Sequence, residues 1–373
     1  MKKHLKFAAI VAAGALALSA CSTAAESDVA ESTGGEAPAV TQELVPFTMA
    51  MASGNTYTAE WWGWLAAKEL GYYEELGLDV EFVAAGGSGD AMEQVIAGNA
   101  DAGNPSAPAF GEAALVGLPV VNVFTYSNGA IFGIFVPEDG PYQSIADMKG
   151  ANIGISEPGG GEVAFLEAAL RAEGIDPITD VQLIPIGDGG PETLAALDNG
   201  SVDVYSTAYN DIFAIQTAGI NLVDLTPAIY NTFPARGIIT TQDTLAKKRD
   251  ALEMFSRGTA MGIYFCFENL EACRDLMKGA IPEAFEQNAD GISQGDLRFT
   301  LATSQVRPAS LDRIGVHDAA GTQSFLDLIQ STSPDYISVN AADVLFDEFI
   351  DSANDFDRDR VAADAAAYVP QNG

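Results

Sequence analysis

The sequence predicts an α/β protein with two lobes, each a β-sheet flanked by helices, and a ligand cleft between the lobes. Three observations support this fold class. Apolar strand patterns alternate with helix patterns from Pro46 onward, the same strand and helix order occurs twice, and two extended apolar segments connect the halves. Alternation of this kind is typical of parallel β-α-β units with right-handed crossovers.

The composition excludes several classes of function. The 373 residues are 48% hydrophobic, which is enough for a sizeable core and is incompatible with global disorder. The 52 acidic residues outnumber 18 basic residues, giving a net charge of −34, so nucleic acid is not expected as a partner. With only His4 and His317, most hydrolytic triads and zinc sites lack their parts. We expect no catalytic residues, no metal and no cofactor.

The amino terminus has the features of a secretory signal peptide over residues 1–20. Three lysines lie among the first six residues, and the apolar run Phe7–Leu18 that follows is too short to span a bilayer comfortably. The tetrad Leu18-Ser19-Ala20-Cys21 resembles the lipobox of bacterial lipoproteins. That resemblance implies cleavage before Cys21, lipidation of Cys21 and anchoring to the outer side of the cell membrane. The alternative is an ordinary signal peptide with an incidental cysteine.

Residues 21–43 are rich in Ala, Ser, Thr, Gly and Glu and show no apolar periodicity. Such a segment cannot bury surface, and we interpret it as a flexible tether.

The first half of the folded region contains three predicted helices between four predicted strands. Thr56 or Thr58 can cap the first helix, which has Glu60 in its first turn and extends to Gly71. The other two helices are Asp90–Ala97 and Pro105–Val116. The strands are Phe47–Met51, Leu78–Ala84, one beginning at Ala100–Ala102, and Val120–Tyr126.

The second half repeats this plan. Its predicted strands are Asn152–Ser156, Val181–Ile186 and Val202–Ser206, and its helices are Gly161–Glu173 and Glu192–Leu197. The segment from Gly98 to Asp101 corresponds to the segment from Gly200 to Asp203, with a spacing of 102 residues. We interpret this as a weak internal repeat, although two generic β-α-β units could match by chance.

Two apolar extended segments, Ile131–Pro137 and Arg236–Thr241, are the predicted crossings between the lobes. Lobe 1 is then expected to comprise residues 44–132 and 240–365, lobe 2 residues 133–239, and the tail residues 366–373. The remainder of lobe 1 is predicted to be helical, over Asp243–Phe265, Asn269–Lys278, Pro282–Gln287 and a last amphipathic helix around Leu345, Phe346, Phe349 and Ile350.

In open α/β sheets, ligands bind beyond the carboxyl ends of the strands, near helix N-termini. Two lobes that face each other in this way are suited to hinge closure around a small molecule. The candidate ligand-binding residues at these ends are Ser53, Asn55, Ser88, Asn104, Ser106, Ser127, Asn128, Glu157, Gly160, Asp188, Tyr209, Asp211 and Arg236.

Aromatic residues at the start of the first helix are further candidates. Tyr57, Trp61 or Trp62 can stack on a ligand ring, whereas at least one of Trp61 and Trp64, which share a helix face, is expected in the core. The alternative for each of them is simple core packing.

Several short motifs follow one another along the chain. They are Ala66–Tyr73, Gly77–Val80, Gly86–Ser88, Ala97–Asp101, Asp147–Gly154, and Leu194–Gly200 with Val202-Asp203. As a set they resemble the solute-binding proteins of bacterial ABC importers for taurine, alkanesulfonates, nitrate and thiamine precursors. The resemblance covers about residues 50–280 and implies the two-lobed periplasmic-binding-protein fold. It also implies a monomeric receptor without enzymatic activity, which delivers a small solute to an ABC permease in the membrane.

Two features leave alternatives open. The segment Gly159–Ala164 fits the spacing of a dinucleotide fingerprint, but we favour a glycine-rich helix start that lets a ligand approach backbone N–H groups. Because Arg236 is the only cation well placed to pair with an anion, we favour a neutral or weakly charged, ring-containing solute. A sulfonate or carboxylate bound by Arg236 is the second choice, and a secreted enzyme on the same fold is a third.

Cys266 and Cys273 are a possible disulfide, since export leads to an oxidising compartment. On one straight helix they would lie about 10 Å apart, too far to bridge. A helix break at Glu268-Asn269 would bring them together, and two buried thiols are the alternative.

Overall fold

A computed structural model describes residues 43–52, 62–129, 131–280, 282, 312–331 and 333–371. The predicted signal peptide, Cys21, most of the tether and nearly all of the helix predicted at Pro282–Gln287 lie outside these residues. No helix among the described residues is long and apolar enough to cross a membrane.

Within the described part of the chain, ten strands form two five-stranded sheets. In chain order they are β1 (Val45–Met51), β2 (Leu78–Ala84), β3 (Ala102–Gly103), β4 (Val120–Asn128), β5 (Phe132–Pro137), β6 (Asn152–Ile155), β7 (Gln182–Pro185), β8 (Val204–Ala208), β9 (Leu222–Asp224) and β10 (Pro234–Thr241). The first sheet has the order β2-β1-β3-β10-β4, and the second has the order β7-β6-β8-β5-β9. The two sheets therefore have equivalent strand orders: three strands that are parallel to one another, then the strand that follows a change of lobe, then a fifth strand at the edge.

Both sheets are mixed: each contains the parallel β-α-β units that the sequence predicted and one antiparallel strand, whose direction the sequence did not predict. Strand β1 pairs in parallel with β2 and β3, and β6 pairs in parallel with β7 and β8. The antiparallel strands are β10 in the first sheet and β5 in the second. These are the two segments that the sequence marked as crossings. Each begins directly after the chain has changed lobes and then runs along its new sheet in the opposite direction.

The chain joins the first sheet at Pro234, six residues before the boundary expected at residue 240. Along its whole length β10 pairs with β4, from Thr241 opposite Val120 to Pro234 opposite Asn128. At the other crossing, Phe132 already belongs to the second sheet.

An aspartate in each lobe makes the same contacts, which supports the internal repeat. Asp101 accepts a hydrogen bond from the backbone N–H of Thr48 at 3.0 Å, and its own N–H donates to the Thr48 carbonyl. In the same way, the Asp203 carboxylate accepts a hydrogen bond from the N–H of Asn152 at 2.9 Å, and the Asp203 N–H donates to the Asn152 carbonyl. Gly98 and Gly200, three residues earlier, both have φ near +70°, which favours glycine. The two turns thus attach the third strand of each lobe to its first.

Helices cover the two sheets. They are α1 (Trp62–Glu69), α2 (Tyr72–Glu75), α3 (Ser88–Ile96), α4 (Ala107–Leu115), α5 (Gly161–Ala172), α6 (Pro191–Asp198), α7 (Tyr209–Thr217), α8 (Gln242–Lys247), α9 (Arg249–Glu268), α10 (Leu270–Ala280), α11 (Ala319–Ser331), α12 (Ala341–Val344), α13 (Ile350–Ala353) and α14 (Arg358–Ala367). Helices α1 and α9 approach each other so closely that a Cβ on Gly262 would overlap the Gly63 carbonyl. This approach buries the aromatic face of α9 against β1, with Phe47 and Phe255 stacked at 4.5 Å.

The carboxyl-terminal part differs most from the sequence prediction. The helix predicted at Asp243–Phe265 is two helices, α8 and α9, separated at Lys248. The prediction of one amphipathic helix around Leu345, Phe346, Phe349 and Ile350 is wrong. That segment consists of α12, a 3-10 turn and α13, and Leu345 instead forms a bridge with Asn122 of β4. Helices α11 and α14 were not predicted.

The sequence between α9 and α10 brings the last two cysteines together. Helix α9 ends at Glu268, and Asn269 has extended backbone, so the chain turns before α10 begins. The Cα atoms of Cys266 and Cys273 are 5.2 Å apart, and their sulfur atoms are in bonding contact. A separation of this size is within the range that a disulfide spans.

We predict that Cys266 and Cys273 form a disulfide in the exported protein. Titration of the unfolded, unreduced protein with a thiol reagent should then find no free thiol from this pair, and two after reduction. The Cys266→Ala variant, which leaves Cys273 without a partner, should titrate one thiol in both conditions. Two free thiols in the unreduced wild type would show that the cysteines are simply buried.

Candidate functional site

The candidate site is the cleft where the two sheets direct their strand ends toward each other. Strands β1, β2, β3 and β4 run in one direction, so their carboxyl ends share one edge of the first sheet. Strands β6, β7 and β8 do the same in the second sheet. Since β5 and β10 are antiparallel, they begin at these edges, which places Arg236 near the cleft end of β10.

Three glycine-lined contacts join the lobes at these edges. The N–H of Gly89 donates to the carbonyl of Gly159 at 3.2 Å. A Cβ on Gly87 would overlap the carboxylate of Glu157, and a Cβ on Gly161 would overlap the hydroxyl of Ser106. The lobes are therefore in direct contact, and a solute that binds between them must enter while they are apart.

The first lobe supplies a buried polar layer. Ser88 begins α3, and its Oγ accepts a hydrogen bond from the N–H of Ser106 at 3.1 Å. Asn104 follows β3 and accepts from the N–H of Ala52 at 2.7 Å, while its carbonyl accepts from the Arg236 guanidinium at 3.2 Å. Ser106 also forms a β-bridge with Arg236. These contacts hold the predicted residues of this lobe in one cluster.

Ser106 differs from its neighbours because its hydroxyl is not used. The side chain is fully buried, and Oγ has no hydrogen-bond partner among the described residues. An unsatisfied buried hydroxyl costs about 1–3 kcal/mol of stability. A ligand that formed a hydrogen bond with the Ser106 hydroxyl would remove this cost.

The second lobe supplies acidic side chains from three strand ends. Glu157 and Glu162 follow β6, Asp188 follows β7, and Asp211 lies in the first turn of α7 after β8. Glu162 accepts from the N–H of Ser156 at 2.9 Å, and Thr207 donates to Asp211. Ser156 and Thr207 are 3.3 Å apart between their hydroxyls, so a hydrogen-bonded network links two of the strand ends.

Burial and neighbouring carboxylates raise the pKa values of Glu157 and Glu162. Burial, together with Asp188, Glu162 and Asp90, raises the pKa of Glu157 to about 7. Burial also raises the pKa of Glu162, and the hydrogen bonds from the Ser156 and Glu162 backbone only partly oppose this. Among the described candidates from the sequence, Arg236 carries the only positive charge. The cleft is thus predominantly acidic.

Not every candidate lies where the sequence placed it. Ser53, Asn55, Tyr57 and Trp61 lie outside the described residues. Trp62 is buried in the core of the first lobe, although its indole N–H has no partner there, and a ligand contact for it remains a prediction. Tyr209 donates its hydroxyl to Asp224 at 2.7 Å and packs edge-on against Phe135, which directs it toward β9.

The remaining candidates occupy the strand ends without revealing a role. Ser127 is buried opposite Arg236 in the pairing of β4 with β10, and Asn128 lies opposite Pro234. Gly160 is the N-cap of α5, with the Glu162 carboxylate folded back against it.

Sequence reasoning missed Glu162, Asp90 and Thr207. Glu162 was part of the glycine-rich helix start, and its position in the first turn was a usable signal because carboxylates are favoured there. The Asp90 carboxylate accepts a hydrogen bond from the N–H of Gly86 at 2.8 Å. Its electrostatic effect on Glu157 depends on the lobes meeting, which no local pattern reveals. No group of three or more His, Cys, Asp or Glu side chains in the described part of the chain could hold a metal ion.

We predict that Glu157 makes the unliganded protein less stable as pH rises. Its folded pKa of about 7 exceeds the usual value near 4.5, so ionisation is penalised in the folded state above pH 7 and not below about 4.5. Because Glu157 is only partly buried, screening by solvent reduces the penalty to about 1 kcal/mol. The Glu157→Gln variant should match wild type at pH 5 and be more stable at pH 8.5 by that amount, as measured by denaturant unfolding.

The matched control is Glu138→Gln, the same change at an exposed residue after β5, at the opposite edge of the sheet. It should follow wild type at both pH values. If Glu157→Gln follows wild type as well, the carboxylate is not destabilised by its surroundings.

Comparison with known structures identifies the fold. A protein from Bordetella bronchiseptica has a TM-score of 0.68 at 20% identity, with 84% of this chain and 98% of that chain covered. The alkanesulfonate-binding protein SsuA from Xanthomonas axonopodis, bound to MOPS, has a TM-score of 0.60 at 13% identity, and the match covers 82% of this chain and 99% of that chain. The periplasmic nitrate-binding protein NrtA from Synechocystis has a TM-score of 0.56 at 14% identity, and the match covers 87% of this chain and 90% of that chain. The predicted two-lobed periplasmic-binding-protein fold is confirmed.

Sequence comparison identifies the family. A riboflavin-binding protein, RibY, from Chloroflexus aurantiacus is 27% identical over 168 residues, which is 45% of this chain. The match spans about half, 47%, of the length of that curated relative. Residues 58–272 match the family described as NMT1/THI5 like, which is more than half of the chain and agrees with the resemblance in the motifs. The chain belongs to the NMT1/THI5-like family.

Proposed function

We propose that this protein is the extracytoplasmic solute receptor of an ABC importer. It captures a small organic solute between its lobes, closes around it, and delivers it to a permease in the membrane. The protein acts as a monomer without a cofactor and is held at the membrane by a lipid on Cys21.

The observation that carries this proposal is the meeting of the two sets of strand ends. Each lobe directs loops and helix starts at the other, and glycines there permit backbone contact, as between Gly89 and Gly159. This is the geometry expected of a cleft that closes on a ligand. Relatives described as binding riboflavin, alkanesulfonates and nitrate use the same family or fold for binding.

For the ligand we propose a neutral or weakly charged organic solute that contains a ring. Trp62, Trp61 or Tyr57 would stack on the ring, which contributes about 0.5–1.5 kcal/mol beyond burial. An anionic sulfonate or carboxylate is disfavoured, since it would have to lie beside Glu157 and Glu162, with Arg236 as its cation.

The alternative of a secreted enzyme on the same fold would need a catalytic group, and His317, the histidine outside the predicted signal peptide, is poorly suited to that role. His317 contacts the Thr125 hydroxyl at 2.7 Å through Nδ1 and the Phe346 carbonyl at 3.3 Å through Nε2. Burial lowers the pKa of His317. With both ring nitrogens engaged inside the first lobe, this imidazole is poorly placed to act as a general base.

The receptor function predicts that the purified full chain captures a solute. The protein would be incubated with a small-molecule extract of its host, freed of unbound solutes by gel filtration, and examined by native mass spectrometry. A single added mass that disappears after unfolding is expected, because a closed cleft retains its ligand. A parallel sample unfolded before the incubation is the control. Repeated failure to retain any solute, or chemical conversion of the retained solute, would contradict the proposal.

The lipid anchor predicts a change of compartment in one variant. Cys21→Ala removes the thiol to which the lipid is attached, so the protein should move from the membrane fraction to the soluble extracytoplasmic fraction. Ser22→Ala is the matched control and should stay with the membrane. If Cys21→Ala remains membrane-bound to the same extent as wild type, the anchor lies elsewhere.

A further inference from the structure

The second lobe presents carboxylates to the cleft with little positive charge beside them. Glu157 is close enough to Asp188, Glu162 and Asp90 for each of them to raise its pKa. Asp90 belongs to α3 of the first lobe, so the acids face each other across the closed cleft. Bringing like charges together in a half-buried place is unfavourable unless a positive charge joins them.

Glu157 is the member of this group that is left for a ligand. Glu162 is buried and already accepts from the Ser156 N–H. Asp90 accepts from Gly86 and Gln94. The side chain of Glu157 is only partly buried, lies against Gly87, and makes no hydrogen bond or ion pair with the described residues. The charged groups that face it from α3, from α5 and from the loop after β7 are all acidic.

Ser106 provides an independent indication that a ligand binds at this place. Its unpartnered, fully buried hydroxyl lies against Gly161, directly before Glu162. The Ser106 N–H bonds to Ser88, which follows the Gly87 that contacts Glu157. The Ser106 hydroxyl and the Glu157 carboxylate are therefore on adjoining parts of the contact between the lobes.

We propose that the solute is an organic cation, whose positively charged nitrogen binds the Glu157 carboxylate while Ser106 hydrogen-bonds a polar atom of the same molecule. This deepens the proposed receptor function and rests on it. An ion pair with Glu157 would replace the repulsion among the acids with attraction. An organic cation fits better than a metal ion, because the described carboxylates do not converge as a metal-ligand set.

The proposal has a consequence for pH. A permanently charged cation binds the ionised form of Glu157, so its affinity should rise with pH as this carboxyl loses its proton. The groups facing Glu157, namely Asp90, Asp188 and Glu162, would strengthen the effect because they are acidic too. An anionic ligand would show the opposite slope.

Three probes with the same ring separate the charge classes: benzyltrimethylammonium, benzyl alcohol and benzenesulfonate. Their affinities for the purified full chain would be measured by isothermal titration calorimetry at pH 5.5 and pH 8. We expect benzyltrimethylammonium to bind most tightly, and more tightly at pH 8. In Glu157→Gln its affinity at pH 8 should fall about tenfold, which corresponds to about 1.4 kcal/mol. Glu138→Gln should bind as wild type does.

Equal or tighter binding of benzyl alcohol or benzenesulfonate, or unchanged binding in Glu157→Gln, would overturn the cation proposal. Its failure is distinguishable from that of the receptor function. A neutral or anionic solute captured from the extract would end the cation proposal and leave the receptor function intact, whereas the absence of any captured solute counts against the receptor function itself.

Discussion

The pairing of β4 with β10 is the constraint on which the arrangement of the lobes depends. It runs from Val120 opposite Thr241 to Asn128 opposite Pro234, so the chain leaves and re-enters the first sheet side by side. The Gly129 N–H donates to the Phe233 carbonyl at 2.9 Å, which joins the two crossings directly. Phe233 in turn packs against Tyr230 and Phe325 at ring distances of 5.2 and 5.4 Å. An apolar cluster thus supports both connections where the lobes meet.

Much of this fold could be predicted from the sequence, because its signals are local. Gly98 and Gly200 favour the same positive-φ turn, and Asp101 and Asp203 follow each turn at the same spacing, so the repeat is visible without a structure. The direction of β5 and β10 could not be predicted in this way. Both are apolar and extended whichever neighbour they pair with, and their partners are distant in the chain. The helix around Leu345 was predicted wrongly because Leu345 forms a β-bridge with Asn122 of β4, a contact between residues distant in the chain that no local pattern reveals.

The candidate site was predictable in position but not in electrostatic character. Strand ends indicated Ser88, Ser106 and Glu157 because parallel strands bring their carboxyl ends together. The charge of the cleft is a property of the assembled lobes. Glu157 and Asp90 are ordinary polar residues in their own segments, and only closure brings them near each other. Counting basic residues disfavoured an anion, which stays a prediction, and it gave no reason to prefer a cation over a neutral solute.

The same contacts that close the cleft also limit how stable closure can be without a ligand. Gly87, Gly89 and Gly159 allow backbones to touch, yet the hydrogen bond from Gly89 to Gly159 is a single interaction worth about 1 kcal/mol. Against it stand the desolvation of Glu157 and its repulsion by neighbouring acids, together with the unsatisfied hydroxyl of Ser106. These terms oppose closure of an empty cleft and become favourable when a solute supplies positive charge and a hydrogen-bond partner. A receptor that responds to its ligand needs this balance, since a ligand shifts the equilibrium between open and closed lobes only through interactions that differ between the two states.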